Sequence, residues 1–118
     1  MEFIIDRQTE YAVLRICEPY LNFTAGPELS SIIQEITADG YKYLILDLSD
    51  VSFADSSGLS AFLAANRICR DQGGLLILMH TSRQIEKIMN LARLEDILQT
   101  VPDLPDALEC IQSHKTQN

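Results

Sequence analysis

The chain has 118 residues, 47% of them apolar and 22% charged, which suits one domain with its own core and sets it apart from disordered chains. A net charge of −8 opposes a phosphate backbone, so direct nucleic-acid binding is not expected of its average surface. No apolar run nears the roughly 20 residues that cross a bilayer, and Met1 leads into EFIIDRQ without a basic start and apolar block, so the expectation is a cytoplasmic protein with neither leader nor membrane contact.

In chain order, Phe3-Ile4-Ile5 and Tyr11–Ile16 form two short strand-like runs, with Gln8-Thr9-Glu10 as the turn between them. Pro19 then breaks the pattern. The segment GPELSSIIQEITADG carries Leu29, Ile32, Ile33 and Ile36 on one helical stripe, with Pro27 in its first turn and Gly40 just past its end. YLILDL (Tyr43–Leu48) and LLILM (Leu75–Met79) are short apolar runs, the first interrupted only by Asp47, and predict interior strands, and a helix over 56–71 lies between them. Strand, helix, strand at this spacing implies a right-handed crossover and a parallel pair.

A further helix is predicted over Ser82–Ala92 with Ile85, Ile88, Met89 and Ala92 inward, then a short strand over Ile97–Val101. The last helix opens with Asp103 as its cap, Pro105 in the first turn and Asp106 near the positive end of the dipole, with Leu104, Leu108 and Ile111 toward the core. No repeat or linker divides the chain. The expected fold is one α/β domain over residues 1–118: a mixed sheet with parallel central strands and about four helices packed on it. Cys17, Cys69 and Cys110 are far apart, odd in number and without a CxxC pair, and neither His80 nor His114 has ligand spacing to them. They read as small buried side chains in a reducing compartment, and no metal or cofactor is expected.

The distinctive stretch is FADSSGLSAFLAA, where Asp55, Ser56, Ser57 and Gly58 stand between a strand's carboxyl end and a helix. In open α/β sheets that edge is where sites lie. Three readings compete. Asp55 or Ser56 can be a plain N-cap, which accounts for one polar residue but not for two hydroxyls with a glycine beside them. Ser57 can be a nucleophile with His80 on the same edge, but G-x-S-x-G is not met because position 55 is Asp, and no glycine-rich loop offers a second oxyanion amide. A phosphate can come and go at the helix start, whose free N–H groups and dipole accept an anion without unfolding the domain. A phosphoserine would bring about −1.5 to −2 charges beside Asp55 and near Asp47 and Asp50, against any docked partner.

LILDLSDVSFADSSGLSAFLAANRICRDQGGLLIL, followed by SRQIEKIMNLARLEDILQTVPDLPDAL, closely resembles the signature of STAS domains, specifically bacterial anti-sigma factor antagonists. The D-S-[ST]-G-L core after a D-L-S-x-V-x-F strand end carries most of the specificity. The resemblance implies a non-enzymatic binder of an anti-sigma factor that is also a serine kinase, so that binding frees a sigma factor. It implies phosphorylation on Ser56 as the off switch, with a PP2C-type phosphatase restoring binding. Asp55, Ser57 and Gly58 would shape the corner.

One departure stands out. Antagonists commonly carry a Gly-Glu-Leu-Asp-like stretch after the second strand, whereas this chain reads CEPYLNFTAG, with Pro19 and Asn22 near those places. As a helix, the run aligns Ser56, Ser60, Leu63 and Arg67 in one row and Leu59, Phe62 and Asn66 in the next. If the second row packs on the sheet, the first joins Asn22 and the corner as a partner surface. The alternative is a STAS module that senses a small molecule such as a nucleotide, or a scaffold, without a phosphate switch. It has no P-loop of the GxxxxGK[ST] type to support it.

Overall fold

In the computed structural model, which describes residues 1–117, the chain runs β1 (Phe3–Arg7), β2 (Ala12–Ile16), β3 (Tyr20–Leu21), α1 (Ala25–Ala38), β4 (Tyr43–Asp47), β5 (Phe53–Ala54), α2 (Ser56–Asp71), β6 (Leu75–Met79), α3 (Arg83–Leu91), β7 (Gln99–Val101) and α4 (Leu104–Thr116). Asn118, the last residue of the expected domain, lies outside the described residues. The main sheet has five strands in the order β1-β2-β4-β6-β7. β1 is antiparallel to β2, and β2, β4, β6 and β7 are mutually parallel. The mixed sheet with parallel central strands and four helices is therefore the expected one.

The strand sequences explain the layering. Successive side chains of a strand point to opposite faces, so a run that is apolar throughout must be covered twice. Leu44, Leu46, Leu76 and Leu78 join α1, α2 and α3 residues in one core, among them Ile33, Phe62, Ile85 and Met89. Tyr43, Ile45, Leu75 and Ile77 face the other way, against Ala107 and Ile111 of α4. Gly40 follows α1 at φ +100°, a left-handed conformation that glycine enters at no steric cost.

Several boundaries and faces differ from the sequence expectation. α4 buries Ala107 and Ile111, while Leu104 and Leu108 are only half-buried. A small alanine toward the sheet lets the helix sit close, and periodicity counted on large residues misses it. Ala92 caps α3 instead of extending it and is exposed, because Arg93 turns the chain at φ 58°. β7 starts at Gln99, since the Ile97 and Leu98 amides both bond to the Leu94 carbonyl in a turn, at 3.0 and 2.8 Å. Of the three cysteines only Cys69 is buried, and its burial pushes the thiol up to about 12. Cys17 and Cys110 are half-exposed.

A second, two-stranded sheet was not expected. β3 and β5 pair in parallel, with Tyr20 opposite Phe53 and Leu21 opposite Ala54. It begins where Pro19 ends β2's register: the Pro19 carbonyl accepts the amides of Ser52 and Phe53 and the Ser52 hydroxyl. This small sheet carries the site.

Candidate functional site

The chain leaves β5 at Ala54 and enters α2 at Ser56, with Asp55 between them in an extended conformation. Asp55 is the N-cap. Its Oδ1 accepts from the Ser57 amide at 2.9 Å and the Gly58 amide at 3.0 Å, satisfying two of the donors that a helix start leaves open. The capping reading thus holds for Asp55, and it leaves Ser56 free of that duty.

Gly58 has a packing reason. A side-chain carbon there would stand 2.9 Å from the Leu21 carbonyl oxygen and 3.2 Å from the Ala54 methyl group. The first turn of α2 is pressed onto the β3–β5 sheet, and only glycine fits between them. The glycine in the motif is there for the close approach of β3, a strand the sequence did not reveal.

The two hydroxyls differ in exposure. Ser56 is exposed and Ser57 half-buried, and among the described residues the Ser56 hydroxyl has no hydrogen-bond partner. The Ser56 carbonyl accepts the Ser60 hydroxyl at 3.0 Å. Ser60 and Arg67 are exposed and Leu63 half-buried along one row of α2, while Leu59, Phe62 and Asn66 are buried in the next.

Asn22 is brought to the corner through backbone pairing. The Asp55 amide donates to the Leu21 carbonyl at 3.1 Å, continuing the β3–β5 ladder, so Asn22 follows directly beside Asp55. Its own carboxamide is engaged in the turn into α1, accepting from the Thr24 amide at 3.1 Å and the Thr24 hydroxyl at 2.7 Å. The same segments carry three exposed aromatic rings, Tyr20, Phe23 and Phe53, with Tyr20 edge-on to Phe53 at 6.4 Å between centroids. Sequence reasoning missed them. A two-residue strand shows no periodicity, and the only available signal was aromatic residues in otherwise polar connections.

The neighbouring acids are already matched. Asp50 is held by a two-pronged Arg15 pair at 3.0 and 3.1 Å, which raises the Arg15 guanidinium above its ordinary value. Asp47 Oδ1 meets His80 Nδ1 at 3.0 Å and the Ser49 amide at 3.0 Å. Burial works to raise Asp47, but the His80 and Ser49 hydrogen bonds outweigh it and hold the carboxyl below its ordinary value. His80 is thus engaged with Asp47 at the sheet edge, and among the described residues no hydrogen bond joins it to Ser57. Nor do any three His, Cys, Asp or Glu side chains group as metal ligands among them.

The chain belongs to the STAS domain family, whose model matches residues 2–107. It is 26% identical over 81 residues to a Thermotoga neapolitana homologue of the TM1081 protein, covering 69% of this chain and 72% of that one. It is 25% identical over 72 residues to an anti-sigma-B factor antagonist of Staphylococcus aureus, covering 61% and 67% of the two chains. Among solved structures, an anti-sigma factor antagonist from Mycobacterium paratuberculosis superposes with a TM-score of 0.81 at 22% identity, over 94% and 93% of the chains. The Bacillus protein SpoIIAA superposes at 0.69 and 22% identity in its unphosphorylated form, over 97% and 98% of the chains. Its phosphorylated form gives the same score and identity, over 93% and 99%.

Proposed function

We propose that this protein is an anti-sigma factor antagonist, acting in the cytosol by binding an anti-sigma factor that is also a serine kinase and so releasing a sigma factor. The docking surface is the corner and the outward row of α2: Asp55, Ser56, Ser57, Ser60, Leu63 and Arg67, with Asn22 beside them; Gly58, expected at this surface, is buried beneath it and serves the packing of α2 on β3. Tyr20, Phe23 and Phe53 add apolar area at its flank. Phosphorylation of Ser56 ends binding, and a PP2C-type phosphatase restores it.

The observation that carries this reading is the geometry of Ser56. It is exposed, its hydroxyl is unengaged among the described residues, and it opens a helix whose cap is supplied by a different residue. A phosphate can be added there without removing any bond the fold uses, and the helix dipole favours the added charge. Asp55 already occupies two of the first-turn amides, so the phosphate is left largely to solvent, beside a carboxylate. A partner that covers the corner must then desolvate an unpaired dianion. That SpoIIAA is known in both phosphorylated and unphosphorylated forms on one fold supports a switch of surface charge instead of shape.

The test is to incubate the protein with an anti-sigma factor kinase of the same cell and ATP and to map the product by tandem mass spectrometry. Phosphate on Ser56, absent from Ser56→Ala, is the expected result. Modification confined to Ser57 or to no residue contradicts the proposal.

A further inference from the structure

β5 has a neighbour on each side, and only one of them is a strand. Toward β3 it pairs backbone to backbone. On its other edge the Gln84 carboxamide takes the place of a strand: the Ala54 amide donates to Gln84 Oε1 at 3.0 Å, and Gln84 Nε2 donates to the Ala54 carbonyl at 3.2 Å. Ala54 is fully buried, so without Gln84 both groups would lose their partner away from water. Two residues earlier, the Ser82 hydroxyl donates to the Ser52 carbonyl at 3.0 Å while accepting the Ile85 amide at 3.2 Å as the cap of α3. The first turn of α3 is thus stitched to the backbone on both sides of Phe53.

A carboxamide is the one side-chain group of this length that offers an acceptor and a donor side by side in fixed geometry. A carboxylate offers two acceptors, a methionine neither. Ala54 passes directly into Asp55, whose carboxylate sets the first turn of α2, so what fixes Ala54 also fixes the direction in which Ser56 leaves the sheet. We propose that Gln84 is a positioning residue for Ser56, holding β5 from its open edge so that the hydroxyl is presented in one orientation to the kinase. This rests on the phosphate-switch reading above. It assigns to α3, which lies outside the proposed docking row, a part in the efficiency of modification.

The experiment compares wild type, Gln84→Met and Gln84→Glu as substrates of the kinase that modifies Ser56, alongside amide hydrogen exchange of the unmodified proteins. Gln84→Met keeps the bulk and removes both bonds. Its kcat is expected to fall roughly 10- to 100-fold, the range in which small misplacements of a reacting group act, with KM within about twofold because the docking row is untouched. Gln84→Glu keeps the bond from the Ala54 amide but turns a second acceptor on the buried Ala54 carbonyl, so its kcat should fall at least as far. The Ala54 and Asp55 amides should exchange at least about tenfold faster in Gln84→Met, while Leu78 in the main sheet stays protected. Should Gln84→Met fail to fold, Gln84→Glu is read for the same fall in kcat. A Gln84→Met protein as good a substrate as wild type would show that the side chain only fills space, and would overturn the proposal while leaving the switch intact. If wild type is not modified at all, the switch reading fails by itself. The exchange data then decide whether Gln84 holds the corner, and unchanged exchange at Ala54 and Asp55 contradicts it.

Discussion

Leu21 and Gly58 meet so closely that a methyl group on Gly58 would stand 2.9 Å from the Leu21 carbonyl oxygen. The contact joins the small sheet to the helix start and explains why the motif contains glycine. Gly58→Ala should destabilise the protein by about 1–3 kcal/mol, the usual cost of overpacking a filled site. Gly26, early in α1, has open space where its side chain would be, so Gly26→Ala should instead stabilise by about 0.4–1 kcal/mol. Denaturant midpoints of the two variants, moving in opposite directions, check both.

The cap gives a second expectation. Asp55→Ala removes the acceptor of the Ser57 and Gly58 amides and should cost about 1 kcal/mol, whereas Asp55→Asn retains a capping oxygen and should cost less. Thermal unfolding followed by circular dichroism separates the two. Equal losses in both would mean that the carboxylate's charge, not its hydrogen bonds, is what the helix uses.

Much of this arrangement was legible in the chain. The apolar runs Tyr43–Leu46 and Leu75–Met79 state that both sheet faces are covered, and the helix over 56–71 with its buried and exposed rows follows from spacing alone. What was not legible has physical reasons. β3 and β5 are two residues each, too short for any period, and their pairing is fixed by long-range bonds to Pro19 and Leu21. Gln84 lies 30 positions from the backbone it holds, and nothing local marks a carboxamide as a strand substitute. Ala107 faces the core in place of larger neighbours because closeness, not size, decides which face of α4 is inward.

Acid should weaken the sheet edge. Asp47 is held below its ordinary value in the folded chain, so it binds a proton more readily when unfolded. Its contribution to stability is therefore fully present above the ordinary carboxylate range, about pH 4, and is lost as pH falls through the lower folded value. Wild type should lose more of its melting midpoint between pH 6 and pH 3 than Asp47→Asn does. Parallel curves for the two proteins would show that the His80 pair contributes nothing to this dependence.

The aromatic flank should matter for affinity and not for the switch. Tyr20→Ala and Phe53→Ala remove exposed rings, so the fold should be little affected. Loss of a buried anchor at an interface commonly costs more than 1 kcal/mol. Each variant should bind the anti-sigma partner roughly tenfold more weakly while being phosphorylated at the same residue. Surface plasmon resonance with unmodified proteins reads the first effect, and unchanged affinity would place the partner elsewhere on α2.

In the proposed switch, charge at Ser56 decides binding. The most direct measurement is calorimetric titration of the anti-sigma factor kinase with wild type, Ser56→Ala and Ser56→Asp, each first shown by circular dichroism to keep its helices. Desolvating an unpaired charge typically costs several kcal/mol, so Ser56→Asp should bind on the order of a hundredfold more weakly than the other two. Wild type and Ser56→Ala should bind alike until ATP is added, after which only wild type loses affinity. Equal affinity of all three proteins would contradict the account, and would shift attention to Asn22 and the turn it holds.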